Sequence, residues 1–143
     1  MAKVANRIAL SGEFEYVQKI AAGAISPGHL MMLDSAGKYN VNSAPTLGAQ
    51  KLFALEDAYQ GKTIDADDAY AADDQVFGII PRPGSKVQCV LATGVTVAIG
   101  APLYPSNDGT LTPTIGSTVT VIGFAEAAVT TASAGEFCSI RIA

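Results

Sequence analysis

Apolar and polar positions alternate with a period of two through much of this chain, and glycine or proline cuts the alternation into short runs. Val76, Gly78 and Ile80 alternate with Phe77 and Ile79. Pro81-Arg82-Pro83-Gly84 then reads as a turn, with proline fixing φ and glycine supplying a permissive position. Val87, Cys89 and Leu91 share one face of the next run, with Lys86, Gln88 and Val90 on the other. After Ala92-Thr93-Gly94, Val95, Val97 and Ile99 share a face; further on, Val119 and Val121 alternate with Thr118, Thr120 and Ile122. The last run sets Cys138, Ile140 and Ile142 against Phe137, Ser139 and Arg141. A two-residue period places successive side chains on opposite faces of a strand. Short strands separated by glycine and proline turns predict an all-β barrel or sandwich. Only 125–134 and 65–72 have the composition for a helical turn or two.

The chain also contains a faint copy of itself. Residues 28–38 read GHLMMLDSAGK and residues 100–110 read GAPLYPSNDGT. Each opens on Gly, runs through an apolar stretch to a small polar tip, and turns on a second Gly. Each is followed by an apolar-Ala-acid run, Phe53-Ala54-Leu55-Glu56-Asp57 and Gly123-Phe124-Ala125-Glu126-Ala127. The first copy predicts strands over His29–Leu33 and Lys38–Asn42 around a turn at Asp34-Ser35-Ala36-Gly37; the second turns at Ser106-Asn107-Asp108-Gly109. Glycine suits turn positions that need positive φ. Residues 43–50 read as a loop or single helical turn, and 51–58 as a buried strand. The two copies predict two halves of one pseudo-symmetric barrel.

Residues 1–24 lack such a hairpin. Phe14 and Tyr16 alternate with Glu13 and Glu15, which is strand-like, and Ser26-Pro27-Gly28 turns the chain. The expected organisation is an extended N-terminal arm over 1–24 followed by a β-barrel domain over 25–143. Termini stay disordered unless they dock on something. The arm residues Arg7, Phe14, Tyr16 and Lys19 are therefore the candidate contacts with a partner.

Composition narrows the choice of partner. The chain has 143 residues, is 49% apolar and only 15% charged, against about a quarter charged in ordinary domains. So few charges point to a large protein–protein interface. A net charge of −4 and no cluster of Lys or Arg argue against nucleic acid, whose binding depends on neutralising phosphates. The N-terminal MAKVANRIAL lacks the apolar core of a secretory signal. No run approaches the roughly 20 apolar residues of a membrane span.

Candidate chemistry is sparse. Cys89 and Cys138 have no CxxC spacing and no companion histidines. They read as buried small hydrophobes in a reduced compartment, with a disulfide as the alternative. His29 is the single histidine and has no evident Ser, Cys or Asp partner. Seven acids fall between Glu56 and Asp74, but counting from Asp65 the EF-hand glycine position holds Tyr70 and the final glutamate position holds Val76. A solvated acidic loop is the expectation. GxSxG, GxGxxG and Walker patterns are absent. Glu56, Asp57 and Glu126 lie in the repeated segments, so a symmetric structural role is simpler than glycosidase chemistry. A biotinyl or lipoyl carrier would need a lysine at a hairpin tip, and Lys38 instead follows the turn glycine. The expectation is a protein with no enzymatic activity and no cofactor or metal.

Several ordered segments resemble the capsid decoration, or cement, proteins of tailed bacteriophages. They are Ala54-Leu55-Glu56, Gly61-Lys62-Thr63-Ile64, Asp68-Ala69-Tyr70-Ala71, Asp74, Arg82-Pro83-Gly84, Gly100-Ala101-Pro102-Leu103 and Asn107-Asp108-Gly109. The resemblance spans about 25–128, and its specificity comes from the order of short motifs. It departs at Asp73, where Gly is expected in the turn. The resemblance implies a small β-barrel or β-tulip and a homotrimer on the outer capsid surface, made in the host cytoplasm. It implies the major capsid protein as partner and cementing of neighbouring capsid subunits as function. A head-fibre or carbohydrate- or receptor-binding β-module is the alternative, with Tyr39, Tyr59, Tyr70 and Tyr104 as candidate stacking residues. The absence of Trp counts against sugar stacking.

Overall fold

The computed structural model describes residues 7–43, 50–57, 60, 62, 69–115, 120–131 and 136–143. The expected strand at 118–119, the loop at 44–49 and the acids Asp65, Asp67 and Asp68 lie outside them. Within the described residues the chain is all-β. Its strands are β1 (Ala9–Ser11), β2 (Phe14–Ile20), β3 (Met31–Leu33), β4 (Tyr39–Val41), β5 (Phe53–Ala54), β6 (Gln75–Pro81), β7 (Lys86–Val90), β8 (Thr96–Val97), β9 (Pro102–Pro105), β10 (Leu111–Thr112), β11 (Gly123–Ala125), β12 (Val129–Thr130) and β13 (Phe137–Ile142).

These strands form four sheets: β1-β7-β13-β11-β9-β10, β2-β6-β5, β3-β4 and β12-β8. None closes into a barrel, which corrects the expected β-barrel. The largest sheet curls until Leu111 of β10 meets Leu91, just past β7, in one isolated parallel bridge. A ladder cannot grow from there. Pro113 follows β10, and proline removes the N–H that a ladder needs. The possible helix over 125–134 is also corrected: its described residues are the end of β11, a bend, and β12 with the residue after it. The buried strand expected over 51–58 shrinks to Phe53–Ala54.

Both predicted hairpins are present. Met31↔Val41 and Leu33↔Tyr39 pair in the first, Pro105↔Leu111 and Tyr104↔Thr112 in the second. Gly37 (φ 78°) and Gly109 (φ 83°) hold the left-handed position of each turn. The Asp34 N–H donates to the Lys38 carbonyl at 2.8 Å, and the Ser106 N–H donates to the Thr110 carbonyl at 2.9 Å.

The duplication runs further than the hairpins. Gly28 N–H donates to the Ala54 carbonyl (2.9 Å) as Gly100 N–H does to Ala125 (2.7 Å). Ala22 N–H donates to Tyr39 (2.8 Å) as Ala92 N–H does to Leu111 (2.9 Å), and Ala21 N–H donates to Asp74 (2.8 Å) as Leu91 N–H does to Glu136 (2.9 Å). Tyr70 N–H donates to Ile25 (2.7 Å) as Thr131 N–H does to Val95 (2.8 Å). β6 pairs β2 on one side and β5 on the other, just as β13 pairs β7 and β11. Tyr16↔Ile79 therefore matches Lys86↔Arg141, and β2 is the counterpart of β7. Phe14–Ile20, expected within the arm, is extended but fully paired with β6.

The core has two compartments. One joins Ile8, Leu30, Phe53 and Ile79 to the apolar residues of the second half, including Val87, Cys89, Leu91, Leu103, Ile122 and Ile140. The other belongs to the first half and gathers Ile25, Met31, Tyr39, Leu52, Tyr70 and Val76. β6 is the wall between them, sending Ile79 into the first and Val76 into the second. Of the expected faces, Cys138, Ile140 and Ile142 are buried, whereas Ile99 falls on a turn and is 71% exposed.

Candidate contact surface

β2 is the terminal strand of its sheet. Its seven residues pair in unbroken register with β6, from Phe14↔Pro81 to Ile20↔Gln75. Immediately outside the strand, the Arg82 N–H donates to the Glu13 carbonyl (3.0 Å) and the Ala21 N–H donates to the Asp74 carbonyl (2.8 Å). Odd-numbered positions thus turn their backbone groups toward β6. Antiparallel geometry alternates this direction, so Phe14, Tyr16, Gln18 and Ile20 point theirs outward.

The side chains of this edge are mostly exposed. Tyr16 is 69% exposed and Ile20 39%; Ile80 of β6, at 40%, lies across from Glu15 on the other face. A hollow of about 200 Å³ is lined by Tyr16, Val17, Gln18 and Phe77. Glu15, Val17 and Lys19 project from the face opposite Tyr16 and Gln18, as strand alternation requires. Glu13 pairs with Arg82 at 3.3 Å. A second hollow of about 500 Å³ lies beside it, lined by Gly12, Glu13, Arg82, Pro83, Gly84 and Ser85.

The chain enters β2 through a tight crossing. Gly12 has φ 115° and lies so close to the neighbouring strand that a Cβ would stand 2.7 Å from Ser85 Cα. Ser85 Oγ accepts from the Glu13 N–H and donates to the Glu13 carbonyl, both at 3.0 Å. This contact fixes the point where the chain leaves β7 as β1 and joins β6 as β2.

The four arm residues are only partly brought together. Phe14 and Tyr16 lie on one face of β2, but Phe14 is half-buried and packs on the core. Lys19 is exposed on the opposite face. Arg7 is exposed and sits with the other sheet, where its carbonyl accepts from Gln88 Nε2 at 2.7 Å. Sequence reasoning missed Gln18, although the recurring Val-Gln of Val17-Gln18 and Val87-Gln88 was a signal for the matched strands.

The reactive residue types occupy structural positions. His29 Nδ1 accepts from the Ser26 N–H at 3.2 Å and so braces the Ser26-Pro27-Gly28 turn. Tyr70 is fully buried, and its hydroxyl donates to the Leu55 carbonyl at 2.7 Å. Burial, then the nearby Asp57 charge, raises its pKa. Tyr70 is thus removed as a stacking residue. Cys89 and Cys138 are buried free thiols opposite one another on β7 and β13. Burial pushes Cys138 up to about 11 and raises Cys89 well above an ordinary thiol. Glu126 accepts from Arg141 Nη2 at 2.7 Å and faces Lys86 at 3.7 Å. Among the described residues no three His, Cys, Asp or Glu side chains gather as a metal site, and no helix is long and apolar enough to cross a membrane. Asp73, the departure from the decoration-protein pattern, is the one non-glycine residue of positive φ (71°) among the described residues.

No protein-family model matches the chain, and no curated protein matches it by sequence. Among solved structures, the fold is similar to the N base of head fiber gp8.5 in bacteriophage phi29. The match has a TM-score of 0.56 at 14% identity and covers 92% of this chain and 95% of that one. This likeness shows a shared all-β fold across nearly the full length of both chains.

Proposed function

We propose that this chain is a structural protein of a phage virion, bound to the head and without enzymatic activity. The observation that carries the reading is the fold match to a phage head fiber base over nearly the whole chain, which agrees in kind with the ordered motifs from Ala54 to Gly109. In its finer form, the protein sits on the outer capsid surface as a homotrimer and cements neighbouring major capsid subunits. A ring of three is a heterologous contact that closes on itself. Binding the expanded shell and not the unexpanded one would stabilise expansion by mass action. Tyr16 and Lys19 are the arm residues best exposed to make the contact. Phe14 anchors the strand on the core, and Arg7 would contact the head separately, from the edge of the other sheet.

A second reading, the base of a head fibre, is favoured by the same neighbour. The two readings divide on particle stability. Adding purified protein to heads of the encoding phage that lack it should restore density on the outer surface in electron micrographs. A cement would also raise the temperature at which those heads rupture, whereas a fibre base would leave it unchanged. Absence of binding to both expanded and unexpanded heads would reject the virion reading.

A further inference from the structure

The two halves treat one strand position in opposite ways. On β7 the outer edge is covered by β1, with Ala9↔Val87 and Ser11↔Lys86 in antiparallel register. The Gln88 N–H donates to the Ile8 carbonyl at 2.9 Å and its side chain donates to the Arg7 carbonyl at 2.7 Å. Gln88 is completely buried there. The matched position on β2 is also a glutamine, Gln18, and among the described residues no strand lies beyond it. Gln18 is exposed, and its backbone groups point outward as those of Gln88 do. The β2 edge therefore has the same backbone and the same side chain as an edge that receives a strand, with no strand on it among the described residues.

The sequence of β2 supplies a partner of its own. Laid antiparallel on a second copy about Val17, Phe-Glu-Tyr-Val-Gln-Lys-Ile is self-complementary. Phe14 meets the partner's Ile20, Glu15 meets the partner's Lys19, and Tyr16 meets the partner's Gln18. Two-fold symmetry repeats each contact. The outward-pointing positions Phe14, Tyr16, Gln18 and Ile20 fall opposite one another in this register and form the hydrogen-bonded pairs. Glu15 and Lys19 fall in the non-hydrogen-bonded pairs, where facing side chains approach most closely. Neither has an ion pair among the described residues, so each is available to its opposite. Such charges can instead simply guard an edge against pairing, and the charge pattern distinguishes the two roles.

We propose that β2 is a self-association edge. Two copies join through an antiparallel, two-fold β2–β2 contact that continues the sheet as β5-β6-β2 in each copy. This does not depend on the virion reading; combined with a ring of three through another surface it gives six chains in solution, of which the head would take one ring. The test is the mass in solution of the full chain by light scattering at tens of micromolar, with thermal unfolding as the control. The wild type should contain an even number of chains. Glu15→Lys and Lys19→Glu each place like charges across the contact twice. Each should halve the mass or raise the dissociation constant roughly ten-fold or more, with an unchanged melting profile. The double exchange Glu15→Lys/Lys19→Glu should restore the wild-type mass. Gln18→Pro, which removes an outward N–H that an edge strand can spare, should also split the pair. A monomer or an odd-numbered oligomer would overturn the proposal. So would single variants with unchanged mass, or a double exchange that fails to restore it. Head binding is measured separately, so loss of one reading leaves the other standing.

Discussion

β2 and β7 occupy the same place in the two halves, yet one is exposed and the other is core. Their matched residues read Tyr-Val-Gln-Lys-Ile in β2 and Lys-Val-Gln-Cys-Val in β7. Lys19 stands where Cys89 stands. The strands share their backbone pairing, so pairing alone does not decide burial. β1 decides it, by crossing at Gly12 and covering β7 but not β2. Among the described residues β1 covers one half, and the other half keeps an open edge. A duplicated fold thereby acquires one distinctive surface without a new element.

Breaking the crossing should have the largest effect. In Gly12→Ala a Cβ would press on Ser85 and hold φ 115°, a region that L side chains rarely occupy. A cost of about 3 kcal/mol or more is expected, from strain plus displacement of β1. Chemical denaturation measures it. Gly37→Ala is the control, since a Cβ there meets nothing within 4 Å at φ 78°, and about 1 kcal/mol is expected. Equal losses would mean that the Gly12–Ser85 approach does not hold β1 in place.

The buried β7 and its neighbour β13 should also carry a pH response. The thiols of Cys89 and Cys138 are raised by burial, Cys138 from 9.0 to about 11. A thiol that ionises more easily in the unfolded chain gives stability that is present below pH 9 and lost as pH rises. For Cys138 the loss runs from about pH 9 to 11 and amounts to about 3 kcal/mol at most. Tyr70, also raised by burial, adds a loss that begins near pH 10. Melting temperature against pH should fall over this window, and Cys138→Ala should flatten the fall while lowering the plateau.

The paired glutamines sharpen the comparison further. Gln88→Ala removes the donor to the Arg7 carbonyl and leaves a small gap in a fully buried site. About 2 kcal/mol of destabilisation is expected. Gln18→Ala should stay within about 0.5 kcal/mol in the dissociated protein, as exposed substitutions do. Equal costs would contradict the assignment of Gln18 to an open edge.

Much of this was legible in the sequence, but unevenly. The hairpins could be read because glycine and a short acidic or polar tip make a local signal: Asp34 Oδ1 accepts from the Ala36 and Lys38 N–H groups at 2.9 Å, and Asp108 Oδ1 from the Thr110 N–H at 3.2 Å. Phe53-Ala54 and Phe124-Ala125 could be read because each packs beside its hairpin. The equivalence of β2 and β7 was hidden. Opposite burial gave the two strands opposite compositions, leaving only Val-Gln in common. The open barrel was hidden too, since closure depends on whether distant edges meet. Among the candidate contacts, alternation placed Phe14 and Tyr16 on one strand face. It could not assign Arg7 to the other sheet, because that depends on the crossing at Gly12.

The smallest predicted effect tests how closely the halves match. Asp73 precedes the Asp74 carbonyl that caps β2, and Gly135 precedes the matched Glu136 in the sequence of the second half. Asp73 holds φ 71°, which aspartate tolerates better than most side chains. It also faces Lys38 Nζ at 3.4 Å, with its side chain 82% exposed, a contact worth little in water. Asp73→Gly relieves the strain but frees the unfolded chain, and it gives up the weak ion pair. The terms nearly cancel, and a gain of about 0.5 kcal/mol or less is expected. Asp73→Ala keeps the strain and loses the carboxylate, so it should cost about 1 kcal/mol. The order Gly, Asp, Ala in denaturation midpoint would identify this position as a glycine turn that the first half tolerates with aspartate. An alanine variant as stable as wild type would show that the backbone relaxes out of the left-handed region, and that the two halves diverge at the cap of β2.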